Sequence, residues 1–461
     1  GGPKAVSLGR AMHQKPGKLG RNAGGRGEAE SEAMCDEART ARHETGSPGR
    51  DDLLARALAK ANMEAAWKRV KSNRGSAGAD GLSIAETADY LKAHWPRIRE
   101  SLFDGSYRPA PVRRVQIPKP GGGVRELGIP TVTDRLIQQA LLQVLQPMID
   151  RTFSEHSYGF RPGRRAHDAV LEAQRYVQDG YRVVVDVDLE KFFDRVNHDI
   201  LMERLSRRIE DKAVLRLIRR YLVAGIMDGG VVMERYEGTP QGGPLSPLLA
   251  NVLLDEVDRE LEARGHRFVR YADDCNVYVR SHNAGERELK GLRKRYDRLH
   301  LKVNEAKTAV APATGRKFLG YELWRSTGDR IKCAVARKAL EAFKQRIREM
   351  TRRSGGRSLP EVAERLRTYM PGWKAYFQLA QTPKVFRELD EWLRHRLRAL
   401  QLKHWRRGTT IYRELKAMGA SKTDARQVAA NSRRWWRNSR FLLNRAMPVA
   451  YFDRLGVPRL S

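Results

Sequence analysis

The chain reads as an α+β protein, with strands and helices mixed through its first two thirds and helices alone beyond residue 320. Three observations predict this. Residues 181–188 are a short β-branched run, with Val183, Val185 and Val187 on one face and Val184, Asp186 and Asp188 on the other, the pattern of a buried strand. Residues 268–279 carry two short runs of aromatic and β-branched residues on either side of Tyr271-Ala272-Asp273-Asp274, the pattern of a hairpin. Beyond Tyr321, Leu340, Phe343, Ile347 and Met350 form one helical stripe, and Phe386, Leu389, Leu393 and Leu397 form another.

Along the chain the elements follow in order. Residues 1–51 open it as an extension: the first fifty hold ten glycines and no Trp, Phe or Tyr, too little to bury a core. A helix is predicted from Asp51, with Leu54, Leu58, Ala61 and Ala65 on one face. Pro120-Gly121-Gly122-Gly123 predicts a hairpin turn with Lys119 and Arg125 across it. The strand at 181–188 and the hairpin at 268–279 come next, then the two helical stripes, with Arg387, Arg394 and Arg398 away from the second stripe.

The chemistry concentrates on carboxylates. Adjacent Asp273 and Asp274 repel each other at a hairpin turn, an arrangement that makes sense beside a divalent cation with oxygen ligands. Asp188, at the end of an apolar strand, is costly unless paired or metal-bound. If that strand lies beside the hairpin, Asp188 and Asp273 can hold two Mg²⁺ ions and Asp274 can support them, the arrangement that stabilises both oxygens of an in-line phosphoryl transfer. Asp186 is read as a salt-bridge or capping residue, and Asp194 as the N-cap of the following helix.

Composition points to an anionic partner. The net charge is +33, and residues 331–461 hold 31 Lys and Arg against 10 Asp and Glu, with five of the eight tryptophans. Basic residues interleaved with aromatics suit a polyphosphate with exposed bases. Cys35, Cys275 and Cys333 lie far apart with no Cys-x-x-Cys pair, which predicts a reduced cytoplasmic protein without zinc; Cys275 reads as a small packing residue. No apolar run approaches the roughly 18 residues of a membrane span, so no membrane partner is expected.

The ordered motifs resemble a known family. Phe192-Phe193-Asp194 after Asp188, Gly238-Thr-Pro-Gln-Gly-Gly-Pro-Leu-Ser-Pro247 and Tyr271-Ala-Asp-Asp274 stand in the order found in reverse transcriptases. With Asn73-Arg-Gly-Ser-Ala-Gly-Ala-Asp-Gly81, Ile117–Pro130, Tyr158-Gly-Phe-Arg-Pro162, Leu301–Thr308 and Phe318-Leu-Gly-Tyr321, the chain from about residue 52 is similar to the reverse transcriptase/maturases encoded by bacterial group II introns. Tyr369-Met-Pro-Gly-Trp-Lys-Ala-Tyr-Phe377 resembles the family's maturase segment.

The resemblance implies a right-hand polymerase. Fingers would occupy 52–150 and palm 151–330, both with antiparallel sheet; a helical thumb/maturase domain would span 331–405 and a small basic helical DNA-binding segment 406–461. Since the chain stops at Ser461, the resemblance is to the shorter subgroup without a His-Asn-His endonuclease and its zinc. Asp188, Asp273 and Asp274 would be the Mg²⁺-binding catalytic triad. Lys119 and Arg125 would meet the triphosphate, Gln241 and Gly242 the new base pair and sugar, and Phe193 would select deoxynucleotides. Lys307 would protonate the leaving pyrophosphate. Arg161 and Arg164 would touch the template strand; Trp373, Arg394 and Arg398 would bind RNA. Arg433, Arg434, Trp435 and Trp436, in Asn431–Arg437, would bind DNA.

The implied function is an RNA-directed DNA polymerase that binds its parent intron RNA, assists its splicing and copies it into target DNA, using deoxynucleoside triphosphates, in the bacterial cytoplasm and at the nucleoid. Two other readings compete. A splicing cofactor with a decayed polymerase site would have lost a carboxylate, and all three are present; a domesticated reverse transcriptase primed on another RNA would not need the maturase-like segment.

Overall fold

The structure is a computed structural model and describes residues 52–118, 124–228, 231–233, 237–239, 242–439 and 442–461. The extension 1–51, Lys119, Gln241 and the side chain of Arg125 lie outside the described residues.

The first third is helical around one hairpin. In place of one helix from Asp51 stand α1 (Leu53–Ala57) and α2 (Lys60–Asn73), because Ala59 takes an extended conformation between them. Helix α3 (Ile84–Phe103) starts in a Ser83/Glu86 capping box, which satisfies its first amides. Strands β1 (Val112–Pro118) and β2 (Val124–Ile129) pair antiparallel with Pro118 opposite Val124, so the glycines do fall between two strands, as expected. Helix α4 (Val132–Asp150), capped by Thr131, buries Ile137, Leu141, Leu145 and Ile149.

The middle third carries the central sheet. Helix α5 (Ala166–Gln178) precedes β3 (Val183–Val187), and α6 (His198–Ser206) and α7 (Lys212–Val223) follow it. Strands β4 (Ile226–Asp228) and β5 (Val231–Met233) join the first hairpin in the order β2-β1-β4-β5, with β4 parallel to β1. That sheet is therefore mixed, where an antiparallel one is expected. Helix α8 (Ser246–Ala263), β6 (Arg267–Tyr271), β7 (Asp274–Val279), α9 (His282–Arg298) and β8 (Ala309–Pro312) complete the centre. The central sheet runs β6-β7-β3-β8, every pair antiparallel.

Its two faces differ. Val185 and Val187 enter a core shared with α8 and α9, whereas Val184 packs on the opposite side with α5. The alternation predicted for 183–188 is thus the one observed.

Beyond residue 312 the chain is not yet helical. Strands β9 (Lys317–Phe318), β10 (Tyr321–Arg325) and β11 (Ile331–Val335) form a third sheet before the helices start, which corrects the expectation of helices from Tyr321. Two-residue alternation in Tyr321, Leu323, Ile331, Cys333 and Val335, all buried, is the signal that was present. Then come α10 (Arg337–Met350), α11 (Leu359–Tyr376) and α12 (Pro383–Trp405), followed by the shorter α13 (Gly408–Ala417), α14 (Lys422–Ala430), α15 (Trp435–Asn438), α16 (Leu442–Ala446) and α17 (Val449–Arg454). One apolar core runs from Phe343 to Leu460, so residues 331–405 and 406–461 pack together. Among the described residues, no helix is long and apolar enough to cross a membrane.

Candidate active site

Strand pairing assembles the carboxylates. β3 runs antiparallel to β7 with Val187 opposite Cys275, and the same register carried one step further sets Asp188 across from Asp274. β6 and β7 close in a two-residue turn, Ala272-Asp273, between the paired Tyr271 and Asp274. Residues 86 apart in sequence therefore meet at one end of the sheet, which is what the strand-beside-hairpin expectation required.

The electrostatics reflect that crowding. Asp274 keeps contact with solvent, yet its carboxyl is pushed up to about 7, first by the low-dielectric protein around it and then by the charges of Asp273, Asp188 and Asp186. Burial also raises Asp186, against the pull of Arg316, whose Nε donates to Asp186 Oδ2 at 2.8 Å. The salt-bridge reading of Asp186 is met. Asp194 is different: it sits in a 3-10 turn, and Asn197 caps α6 by accepting from the amides of Asp199 and Ile200.

Asp188 has a cation at hand. Lys307 Nζ donates to its two carboxylate oxygens at 3.3 and 3.2 Å, and the Asp188 amide and carbonyl are tied to Thr308 Oγ1 and the Asn304 amide. The Asn304–Thr308 turn thus belongs to the acidic corner. Among the described residues no three His, Cys, Asp or Glu side chains form a group able to hold a metal ion. The donor set still fits Mg²⁺, which is bound through one or two carboxylates plus water and substrate phosphates.

A buried arginine holds the turn. Arg270, 1% exposed, donates through Nη1 to the Ala272 carbonyl at 2.9 Å and to Asn251 Oδ1 at 2.8 Å, and through Nη2 to Ser157 Oγ at 2.8 Å. Asp258, fully buried, takes its remaining donors at 2.6 to 2.9 Å. Asn251 also donates to the Gly159 carbonyl at 2.9 Å. A Cβ on Gly159 would stand 2.2 Å from the Ala272 amide nitrogen, so only glycine lets this strap lie on the turn. Ala272 itself takes φ +59°, the left-handed region. Sequence reasoning missed Arg270; the available signal was a charged residue inside an otherwise apolar strand.

The loop before α8 closes another side. Gly242, at φ +133°, would place a Cβ 2.7 Å from the Gly128 carbonyl of β2, so only glycine lets this loop lie against β2. The Thr239 amide donates to the Phe193 carbonyl at 2.7 Å. Phe192 and Phe193 are both core residues, 3% and 7% exposed, with rings 5.1 Å apart. The expected division of roles, core for Phe192 and sugar contact for Phe193, is not visible in their burial. Cys275 is buried and its thiol pushed up to about 12 by that burial, as a packing residue should be.

Comparison with known proteins fits this geometry. Residues 117–323 match the family model for reverse transcriptase (RNA-dependent DNA polymerase), and residues 340–419 match the group II intron maturase-specific domain. The chain thus carries a reverse transcriptase domain followed by a group II intron maturase-specific domain, the pairing of an intron-type reverse transcriptase/maturase. Protein YkfC of Escherichia coli is 39% identical over 191 residues, 41% of this chain and 50% of that protein. Group II intron-encoded protein LtrA of Lactococcus lactis subsp. cremoris is 39% identical over 196 residues, 42% of this chain and 32% of LtrA. The chain thus spans half or less of these curated relatives. Among solved structures, a chain of a partial Cas6-RT-Cas1–Cas2 complex is 27% identical over 53% of this chain and 42% of that one, with a TM-score of 0.36.

Several arginines expected on nucleic acid face inward. Arg161, 5% exposed, is spent on Asp150 and on the carbonyls of Ser154, Ser157 and Asp150. Arg164 pairs with Glu155 and lies over the Tyr158 ring. What that loop presents instead is Phe160, 43% exposed and at φ +59°, next to the glycine strapped across the Ala272-Asp273 turn.

Arg394 and Arg398 are also buried. Arg394 meets Asp390 and Asp453, and Arg398 Nε donates to the Met447 carbonyl at 2.9 Å over the Phe452 ring. Burial and the nearby Arg394 hold Arg398 down to about 10. The reason is a second cover: α17 and the chain after it pack on the face of α12 that a single apolar stripe leaves to solvent. Asp390 there accepts from the amides of Leu460 and Ser461. Trp373 packs among Phe343, Phe377 and Phe386 and is an aromatic core residue. Trp435 lies under Lys403 and Arg353, half-buried. Trp436, 46% exposed and against His395, is flanked by exposed Arg433, Arg434 and Arg437.

Proposed function

We propose that this chain is an RNA-directed DNA polymerase that binds its parent group II intron RNA, assists its splicing and copies it into DNA at a target site. The reading is carried by one observation: the pairing of β3 with β7 sets Asp188 across from Asp274, beside Asp273 in the turn.

In the proposed reaction a primer 3′-hydroxyl attacks the α-phosphorus of a deoxynucleoside triphosphate, a P–O bond forms and pyrophosphate leaves. Asp188 and Asp273 would hold two Mg²⁺ ions, with Asp274 alongside. When bound, those ions supply charge stabilisation at the attacking and leaving oxygens. Lys119 and Arg125 would receive the triphosphate, Arg as a fork and Lys as a point charge. Gln241 and backbone at Gly242 would meet the new base pair and sugar, and Phe193 would exclude a 2′-hydroxyl. Lys307, whose Nζ lies 3.2 Å from the Asp188 carboxylate, would protonate the leaving pyrophosphate. Phe160 offers an exposed ring on which a template base can stack.

RNA binding draws on the +33 charge, and DNA binding on the exposed Arg433, Arg434 and Trp436 with Trp435 behind them. Primer extension on a defined RNA template with Mg²⁺ tests the polymerase. Activity that disappears in Asp273→Ala/Asp274→Ala supports it; an intact protein that splices intron RNA but never extends a primer would replace it with the splicing-cofactor reading.

A further inference from the structure

We propose that the back of the central sheet carries a second nucleic-acid surface, a cleft between the end of α8 and the outer face of α9 that binds the phosphate backbone of double-helical RNA. The cleft has a volume of about 550 Å³. The choice of RNA over DNA rests on the intron-binding reading above; the phosphate chemistry does not.

Arg287, Lys290, Lys294 and Arg298 line it from α9, and Arg264 lines it from the other side. On α9 their spacing of three, four and four residues makes a single stripe, with neighbours roughly 5–6 Å apart. The opposite face, with Gly285, Leu289, Leu292 and Tyr296, is buried. Like charges at this spacing repel one another and destabilise a helix. Glu286, four residues before Lys290, lies near His282, and among the described residues no carboxylate forms an ion pair with Arg287, Lys290 or Lys294.

The one acidic residue in the lining is already neutralised. Glu260 receives Arg264 at 3.0 Å, Arg298 at 2.6 Å and the buried Arg295 at 3.0 Å. The result is a strongly positive concavity that calls for a polyanion. No aromatic or large apolar side chain lines it, so it offers no platform for unpaired bases. A helical segment, with bases paired inside and phosphates outside, is what such a surface can grip.

Its position separates it from the polymerase corner. A Cβ on Gly285 of α9 would touch Val310, Val185 and Val279, so α9 covers the Val185 face of the sheet. Asp186 and Asp188 alternate with Val185 and Val187 and emerge on the other face. Primer–template held at the carboxylates therefore lies across the sheet from this cleft.

The test is the variant Arg287→Ala/Lys290→Ala/Lys294→Ala in the full chain, probed with a blunt RNA duplex, a blunt DNA duplex of the same sequence and anionic phosphatidylserine vesicles. All three residues are exposed, so thermal melting should match the parent chain. The proposal expects RNA-duplex affinity to fall about tenfold or more at low salt, and the slope of log affinity against log salt to drop by about 2–3, near 0.9 per lost phosphate contact. Primer extension on an RNA template should be unchanged. An unchanged slope overturns the proposal, as does an equal loss of primer extension, a loss confined to the DNA duplex, or a loss confined to vesicles. Failure of the parent chain to extend primers would sink the polymerase reading and leave this duplex-binding result standing.

Discussion

The guanidinium of Arg270 and the carboxylate of Asp258 meet inside the protein through contacts of 2.6 to 2.9 Å, and the same guanidinium reaches the Ala272 carbonyl in the turn that carries Asp273. Three of its nitrogens thus tie α8, β6 and the Ala272-Asp273 turn to one point. An ion pair this dry stabilises little against an apolar substitute, but losing one partner leaves a bare charge.

Asp258→Ala should therefore destabilise the chain by about 3–5 kcal/mol, measured by denaturant unfolding. Arg270→Lys keeps the charge and loses the fork. It should lower kcat for primer extension while leaving the KM for deoxynucleotide nearly unchanged, because the turn moves and the triphosphate contacts do not. A change in KM alone would show that Arg270 does not position the turn.

Gly159→Ala and Ala272→Gly form a contrasting pair. The first drives a Cβ into the Ala272 backbone at 2.2 Å and should cost about 1–3 kcal/mol along with most of the extension activity. The second relieves a left-handed alanine, a conformation that costs roughly 1–2 kcal/mol, and should be neutral or stabilising in thermal melts. Equal effects of the two would refute the strap.

Asp274 predicts a pH effect on the metal-free protein. Its folded-state pKa of about 7 lies above the ordinary carboxylate value, so the folded chain binds more protons than the unfolded chain in between. Stability at this site is present below about pH 4 and is lost as pH rises towards and through 7. Asp274→Asn should thus stabilise the chain in EDTA by about 1 kcal/mol at pH 8, allowing for solvent screening, and have little effect at pH 4. Unfolding curves at the two pH values decide it.

Arg398→Ala and Trp436→Ala should separate fold from binding. Buried Arg398 should cost stability, about 1–3 kcal/mol, with nucleic-acid affinity per folded molecule unchanged. Exposed Trp436 should leave melting within about 0.5 kcal/mol and weaken single-stranded DNA binding by about 1–3 kcal/mol. Filter binding beside thermal melts reads both.

Much of the candidate site was legible because its signals are local. Valines alternating with Asp186 and Asp188 announce a strand with one acidic face, and Tyr271–Asp274 announces a turn between strands; both follow from the two-residue period of a pleated chain. The helical stripes of α10 and α12 are equally local. Misreadings arose where a second surface covers the first. Arg394 and Arg398 lie off the apolar stripe of α12, yet the chain from Met447 to Ser461 folds over them. Arg161 sits in a basic loop, yet Asp150 and three carbonyls turn it inward and leave Phe160 outside.

By itself the sequence showed the resemblance, the central strand with its hairpin and the carboxylates at their ends, since each rests on neighbours close in the chain. Tertiary structure alone decided which cations are free and which are spent. It set Arg270 under the Ala272-Asp273 turn, paired Lys307 with Asp188 and left Arg287, Lys290 and Lys294 facing solvent on the far side of the sheet. A long cationic side chain takes its role from what packs around its head group, and those partners lie far away in the sequence.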